Sequence, residues 1–269
     1  MPRLDRITIY PVKSFDGCEL PASGFVEGGG LRDDRRFALF DDRGQIVNAK
    51  RFPEIQRLRC LFDLTQRRVD LTLPDRPRES FDLAAGDVRL QDRLSEYFGR
   101  RVELRENVDT GFPDDLNAAG PTVISVATLR RVSEWFGLDP AETRRRFRAN
   151  LEIDELEPGD CPAFWEDRLF ADDAAPDARD VVVFQIGDAT LHGVNPCARC
   201  AVPTRDSLST EVTPRFAVEF GNRRRDALPA WAPATAFDHF YRLAVNTRFG
   251  SAQGARTVRV GDVVRINAS

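Results

Sequence analysis

Two cysteines and three charged side chains lie within twelve residues, at positions 195–206. Cys197 and Cys200 are separated by two residues, one of which is Arg199, and Arg205 follows shortly after them. Structural cysteines usually lie among apolar neighbours, whereas a nearby guanidinium favours the thiolate, which attacks electrophiles and binds soft metals. This segment is therefore predicted to be a site of chemistry.

The Cys-x-x-Cys spacing is compatible with four kinds of site. A structural zinc needs four ligands, but the sequence has no second cysteine pair and only two histidines, His192 and His239. A thiol and disulfide redox motif opens a helix, whereas this pair lies between strand-like runs and is followed by Pro203. The third interpretation is two structural thiols. The fourth is one thiolate that ligates a soft, redox-active metal whose other ligands come from a cofactor.

Composition restricts the classes of partner. The chain has 269 residues, 42% hydrophobic content and a formal net charge of -4, enough for one large domain or two closely packed ones. No apolar run reaches the roughly 20 residues of a membrane span, and the acidic balance argues against a chain that coats nucleic acid. Five cysteines at irregular spacing, with no apolar stretch after the charged start, predict a cytoplasmic protein without a signal peptide.

Arginine dominates the basic residues. Lys13 and Lys50 are the two lysines among 39 basic residues, a bias typical of a GC-rich genome, so arginine runs are not interpreted one by one. Residues 223–225, three consecutive arginines, are expected to form a solvated face. A lysine at a turn in this arginine-rich background, such as Lys13, is more informative about function, because lysine is a compact point charge whereas arginine is a planar fork.

The elements that must position these residues are mostly strands. Apolar or alternating runs in the first hundred residues predict a β-rich lobe with a hairpin loop at 41–44 and one helix at 91–98. The predicted strands of this lobe are 4–10, 36–40, 46–49, 58–64 and 69–73. A polar segment with Gly111 and Pro113 predicts a boundary near residue 115, which divides the chain into domains 1–114 and 115–269.

The second half is predicted to be a closed β-barrel with peripheral helices, so the fold class is mainly β with α. Apolar spacing predicts helices at 126–136 and 140–148, and a further one at 237–249. Residues 154–180 are predicted to run over the surface as a long excursion. The predicted strands of this half are 121–125, 149–153, 181–186, 190–194, 257–260 and 263–266.

Six segments, in order along the chain, resemble the MOSC family, which includes the mitochondrial amidoxime reducing component. The cysteine segment 197–206 resembles the MOSC signature, and residues 9–14 with Gly17 resemble the opening of the family's N-terminal β-barrel region. The other similar segments are 34–37 with 41–44, 120–125, 147–151 and 260–264. The resemblance implies a MOSC N-terminal β-barrel region followed by a MOSC domain.

The resemblance also implies roles for individual residues. Cys200 is the expected molybdenum ligand, with two more sulfurs from the pterin dithiolene of a molybdenum-molybdopterin cofactor, and Cys197 is an accessory. Burying the anionic phosphate of molybdopterin requires cations and oriented donors. The expected cofactor-binding residues are Lys13, Ser14, Arg35, Arg148, Arg199 and Thr204. Asp206 is the expected proton donor, although a turn aspartate that caps its own backbone is an equal alternative. His192 is a further candidate for proton transfer, or else a packed strand histidine.

The implied activity is reduction of a small N-oxygenated substrate by oxygen atom transfer to reduced molybdenum. The sequence carries no flavin or nicotinamide fingerprint and lacks the cysteines for an iron-sulfur cluster, so a separate soluble electron-donor protein is expected. Two alternatives are a sulfur carrier coupled to a pyridoxal phosphate-dependent sulfurase and a non-catalytic carrier of the cofactor.

Overall fold

The computed structural model describes residues 1–171, 182–250 and 257–266. Within these ranges, strands are the main element and four α-helices accompany them, which confirms the predicted fold class. The strands of the first half are β1 (Arg3–Ile9), β2 (Cys18–Leu20), β3 (Ala22–Gly24), β4 (Phe37–Asp41), β5 (Ile46–Val47), β6 (Arg59–Asp63), β7 (Arg68–Thr72), β8 (Glu79–Asp82) and β9 (Val102–Glu106). Those of the second half are β10 (Val123–Ser125), β11 (Leu151–Asp154), β12 (Val182–Ile186), β13 (Ala189–Ala198), β14 (Arg242–Phe249), β15 (Thr257–Arg259) and β16 (Val264–Ile266). The helices are α1 (Val88–Phe98), α2 (Val126–Phe136), α3 (Pro140–Phe147) and α4 (Phe216–Asp226).

Eight strands form the largest sheet, in the order β16-β12-β13-β14-β10-β11-β1-β2. Neighbours are antiparallel except for β10 and β11. A backbone bridge between Arg3 and Val263 joins β1 to the chain just before β16, with the Leu4 amide donating to the Asp262 carbonyl at 2.8 Å. The sheet therefore closes on itself as a barrel between β1 and the chain that leads into β16, while β2 stays at an edge beside β1.

The barrel interior is apolar. Alternate residues of β1 and β11, including Ile7, Ile9, Leu151 and Ile153, are fully buried in one core cluster with Phe184. The intervening residues of β1, among them the half-buried positions 6 and 8, point to the outer face because side chains alternate along a strand. That outer face carries the site described below.

The N-terminal lobe has its own core. It contains the sheets β5-β4-β9 and β6-β7-β8, against which α1 packs through Leu90, Leu94 and Phe98. The predicted hairpin at 41–44 joins β4 to β5, with Gly44 at φ +70°. Nevertheless β1 and β2 belong to the barrel, so the chain enters the second half's sheet before it forms the lobe. The boundary near residue 115 stays a prediction.

Helices α2 and α3 connect the parallel pair β10 and β11, since parallel strands require a crossover. The side chain of Ser125 caps α2 by accepting from the Thr128 amide, and Gly137 ends that helix at φ +61°. Asp139 caps α3, and Pro140 occupies its first turn. Both helices lie where the sequence predicts them.

Three expectations are wrong. Residues 237–249 do not form a helix, because 242–249 are strand β14 between β10 and β13. The apolar residues of this segment satisfy helical spacing, but pairing with the two neighbouring strands determines that it is extended. Arg224 is not solvated: it is 1% exposed on α4 and pairs with the buried Asp167. The segment 154–180 is not only a surface excursion, because within it Trp165 and Leu169 are buried in the same core cluster as the barrel strands. Residues 172–180 of that excursion, and residue 181 of a predicted strand, lie outside the described part.

In the described ranges, no helix combines the length and the apolar character that crossing a membrane would demand.

Candidate functional site

One cavity of about 660 Å³ opens on the outer face of β1, and residues from both halves of the sequence line it. The lining contains eleven Lys or Arg residues and six Asp or Glu residues, although the chain as a whole is acidic. The positive charge is thus concentrated in the cavity. Six of the predicted site residues line it, namely Lys13, Ser14, Arg35, Arg148, Arg199 and Cys200.

Lys13 lies in the turn after β1, where its amide donates to the Phe37 carbonyl at 2.8 Å. The side chain is buried, and Nζ donates to the Phe112 carbonyl at 2.8 Å and pairs with Asp114 at 2.9 Å. Burial lowers the pKa of Lys13, against the attraction of Asp114. Burial of Asp114 would raise its pKa, but Lys13 and Arg35 outweigh this and hold that pKa at about 2. The Asp114 carboxyl is therefore ionised at neutral pH.

Ser14 follows Lys13 with φ +72° and lines the same cavity. Its hydroxyl oxygen accepts from the Ala49 amide at 3.2 Å, which ties the turn to the N-terminal lobe. Because the hydroxyl proton is not used in that bond, Ser14 can still donate to a ligand.

Arg35 adopts a left-handed conformation at φ +50°, with its amide donating to the Tyr10 carbonyl at 2.8 Å. Its guanidinium pairs with Asp34 and donates to the Asn150 side chain at 3.3 Å. Burial alone would lower the pKa of Arg35, but Asp34 and Asp114 raise it. The guanidinium is thus charged and fixed in direction.

Gly111 lies directly against the backbone of Asp34 and Arg35. It has φ +63°, and a Cβ there would lie 2.9 Å from the Asp34 carbonyl oxygen and 3.1 Å from that of Arg35. The next amide, of Phe112, donates to the Arg35 carbonyl at 2.8 Å. Only glycine fits this conformation without moving the backbone that carries Arg35.

Arg148 ends α3 in the left-handed region at φ +54°, with its amide donating to the Arg144 carbonyl at 2.8 Å. Its guanidinium carbon lies 3.9 Å from the centroid of the Tyr10 ring, and that of Arg35 lies 5.2 Å from the same centroid. Within the described ranges, the Arg148 side chain makes no hydrogen bond and no ion pair. Burial lowers the pKa of Arg148, and Arg35 adds repulsion, but an arginine remains charged. Two like charges thus lie against one ring, and only Arg35 has an ion-pair partner among the described residues.

The cysteine segment begins at the end of β13. Arg199 donates to the Cys197 sulfur at 3.2 Å and to the Phe147 carbonyl, while its Nε is buried without a partner in the described structure. All five cysteines are free thiols, and Cys197 and Cys200 both line the cavity. The Cys200 thiol makes no hydrogen bond within the described chain. The two cysteines thus differ, since Cys197 is engaged by a guanidinium and Cys200 is available.

Thr204 and Asp206 are not among the residues that line the cavity. The Thr204 hydroxyl donates to the Ala201 carbonyl at 2.7 Å. Asp206 accepts from the amides of Leu208 and Ser209 at 2.9 and 2.8 Å, the geometry of a turn cap. The bonds from Ser209 contribute most to lowering the pKa of Asp206. The structure favours the capping alternative for Asp206 and places neither residue in the cavity lining.

His192 also lies outside the cavity lining, on β13. In the part of the chain that the structure describes, no three His, Cys, Asp or Glu side chains converge in a way that could hold a metal ion. A metal at Cys200 therefore needs ligands from another source.

Sequence reasoning missed the residues that hold these groups in place. Asn150 donates to the Thr8 carbonyl at 3.0 Å and accepts from Thr122 at 3.2 Å, besides its bond to Arg35. Glu142 accepts from the Ser207 amide at 2.9 Å and from Arg146 at 2.6 Å, which ties the loop after Cys200 to α3. The ion pair of Glu142 and Arg146 could have been predicted, because residues four apart in a helix are neighbours. The contact of Glu142 with Ser207 could not, because the two residues are far apart in the sequence.

Two family models and two known proteins are similar to this chain. The model of the MOSC N-terminal beta barrel domain matches residues 1–136, and that of the MOSC domain matches residues 121–265. A curated relative, the molybdenum cofactor sulfurase of Oryza sativa subsp. japonica, is 34% identical over 140 residues, which are 50% of this chain and 17% of the relative. The chain therefore spans only a small part of that relative's length. A solved structure, the YUAD protein from Bacillus subtilis, has 10% identity and a TM-score of 0.38, over 98% of this chain and 94% of that one.

Proposed function

Because this chain belongs to the MOSC family, we propose that it binds a molybdenum-molybdopterin cofactor and reduces N-oxygenated compounds. One observation carries the proposal: the free thiol of Cys200 lines the same cavity as the unpaired guanidinium of Arg148. A thiolate suits a soft metal and a guanidinium suits a phosphate. The cavity therefore offers both ends of such a cofactor a matching group.

The residues of the cavity fit an anionic pterin cofactor in three respects. Arg148 and Arg35 share the Tyr10 ring without enough carboxylate to balance both, so an anion between them would be stabilised. The Ser14 hydroxyl retains a free donor, and the buried Arg199 Nε lacks an acceptor. A bound phosphate and a pterin carbonyl would supply the acceptors that these groups lack.

When bound, the molybdenum centre supplies the two-electron, oxygen-accepting chemistry that this reduction needs. The chain's own part is to bind and orient. Cys200 would hold the metal through its sulfur, while Lys13, Arg35 and Arg148 would hold the phosphate. Asn150 fixes Arg35, and Tyr10 fixes both guanidiniums. We also propose a separate soluble protein as the electron donor.

Turnover of benzamidoxime with a chemical reductant tests the proposal, using protein expressed in a host that makes the cofactor. We expect benzamidine to form with wild-type protein and not with Cys200→Ser. Protein that contains molybdenum and pterin but does not turn over benzamidoxime or hydroxylaminopurine would identify a cofactor carrier instead.

A second candidate is a sulfur carrier that works with a separate sulfurase. The similarity to a plant molybdenum cofactor sulfurase over 140 residues favours it, as does the free thiol of Cys200. Cyanide-releasable sulfur on Cys200, in protein without molybdenum, would support this candidate against the reductase.

A further inference from the structure

Tyr241 holds the cysteine segment at two adjacent points. Its backbone carbonyl accepts from the Arg199 amide at 3.0 Å, and its hydroxyl donates to the Cys200 carbonyl at 3.2 Å. Tyr241 immediately precedes β14, and β13 ends at Ala198 beside it. One residue therefore fixes the backbone on which the Cys200 thiol is carried.

The Tyr241 ring is itself fixed by helix α4. It packs edge-on against Phe220, with centroids 5.4 Å apart at 76°, and against Phe216 at 6.5 Å and 79°. Phe220 also contacts Phe147 at 5.6 Å, whose carbonyl accepts from Arg199. The two phenylalanines are one helical turn apart and so share a face of α4. This face of α4 therefore contacts both Tyr241 and Phe147, the two residues that bond to the cysteine segment.

The same face of α4 is anchored in the interior one turn further on. Arg224 is 1% exposed and forms an ion pair with Asp167, which is also buried. Its guanidinium carbon lies 4.1 Å from the centroid of the Phe164 ring. Because a buried ion pair has few alternative geometries, α4 cannot slide along the barrel without exposing or breaking it.

We propose that Tyr241 is a positioning residue that sets the orientation of the Cys200 thiol in the cavity. The group that this thiol binds rests on the proposed function, but the positioning does not. Tyr241 acts through the Cys200 carbonyl and not through the sulfur. Its removal should therefore change the mobility of Cys200 more than that of Cys197, which lies on β13 and is held by Arg199.

The test is the rate of alkylation of each cysteine by iodoacetamide, read by peptide mass spectrometry on cofactor-free protein. Tyr241→Phe keeps the ring and removes only the hydroxyl. Tyr97→Phe is the matched control, since Tyr97 is also half-buried and its hydroxyl donates to a backbone carbonyl, that of Glu54, at 2.9 Å. All rates are compared at the same interval below each variant's own Tm.

We expect Tyr241→Phe to speed alkylation of Cys200 about fivefold, as the loss of one hydrogen bond on a loop should, and to leave Cys197 within twofold of wild type. An unchanged Cys200 rate, or an equal change in Tyr97→Phe, overturns the proposal. If Tyr241→Phe does not fold, Phe220→Leu loosens the ring without touching the hydroxyl and should shift the Cys200 rate in the same direction; no shift overturns the proposal.

Molybdenum content separates this proposal from the proposed function. In a cofactor-competent host, Tyr241→Phe should retain less molybdenum per chain than Tyr97→Phe. If wild-type protein contains no molybdenum while the alkylation shift is present, the function is wrong and the positioning role stands.

Discussion

The guanidinium of Arg148 stacks on the ring of Tyr10, a residue 138 positions earlier, at 3.9 Å between its central carbon and the ring centroid. Arg35 lies against the same ring at 5.2 Å. The ring's negative face offsets part of the repulsion between two like charges. Under the proposed function, Tyr10 would hold these two cations in place for one anion.

Tyr10→Leu should weaken anion binding, because it removes the surface that holds both guanidiniums. Desolvated cation–π contacts contribute about 1–2 kcal/mol, so the affinity for inorganic phosphate should fall about 5- to 30-fold. Tyr10→Phe keeps the ring and loses only the 3.3 Å hydroxyl bond to the Ala149 carbonyl, so its affinity should stay within about threefold of wild type. Isothermal titration with phosphate distinguishes them, and equal losses in both variants would refute the ring's role.

Arg148→Met should make the empty protein more stable while it abolishes phosphate binding. The guanidinium is partly buried, lies near Arg35 and has no ion-pair partner among the described residues. Met keeps a favourable contact with the Tyr10 ring, so relief of the repulsion between Arg148 and Arg35 and of the burial of the charge should give a net gain of about 1 kcal/mol. Thermal unfolding without phosphate should show a higher Tm.

Arg145→Met is the control on the same helix. Arg145 is paired with Glu142 at 3.0 Å and bonded to Ser207 at 2.8 Å, so its removal should not raise the Tm. A lower Tm for Arg148→Met than for Arg145→Met would show that Arg148 serves the fold and not a ligand.

Glu166 should make the protein less stable as the pH rises. Burial, followed by repulsion from Asp167, raises the pKa of Glu166 to about 7. An acid with a raised folded-state pKa favours folding in its protonated form, so stability should fall between about pH 4.5 and pH 7. Glu166→Gln should remove this loss. Its Tm should exceed that of wild type at pH 8, and the two should converge near pH 4.

Glu142→Gln should behave in the opposite way. Burial opposes ionisation of Glu142, but bonds from Ser207 and Arg146 lower its pKa below the ordinary value. Its contribution is therefore present above about pH 4.5 and lost as the pH falls further. This variant should be less stable than wild type at pH 8. Parallel pH curves for the two glutamine variants would contradict both assignments.

Most strands and the two crossover helices were readable from the sequence because local periodicity and caps determine them, but the short strands β2, β3, β8 and β9 were not predicted. Helix α4 was not predicted. Residues 242–249 were predicted to be helical because their apolar spacing fits a helix, and only pairing with β10 and β13 makes them a strand. The cations of the site followed from the family resemblance. Tyr10, Asn150 and Tyr241 did not, since their roles depend on contacts across more than 40 residues of chain that no local pattern records.

Molybdenum content per chain in Cys200→Ser and Cys197→Ser, each expressed in a cofactor-competent host, tests the central claim most directly. The Cys200 thiol is free in the cavity, whereas Cys197 accepts from Arg199 at 3.2 Å. We predict that Cys200→Ser loses molybdenum while Cys197→Ser retains it. Full molybdenum in Cys200→Ser with loss in Cys197→Ser would contradict the ligand assignment, and zinc in place of molybdenum in the wild-type protein would contradict the proposed function itself.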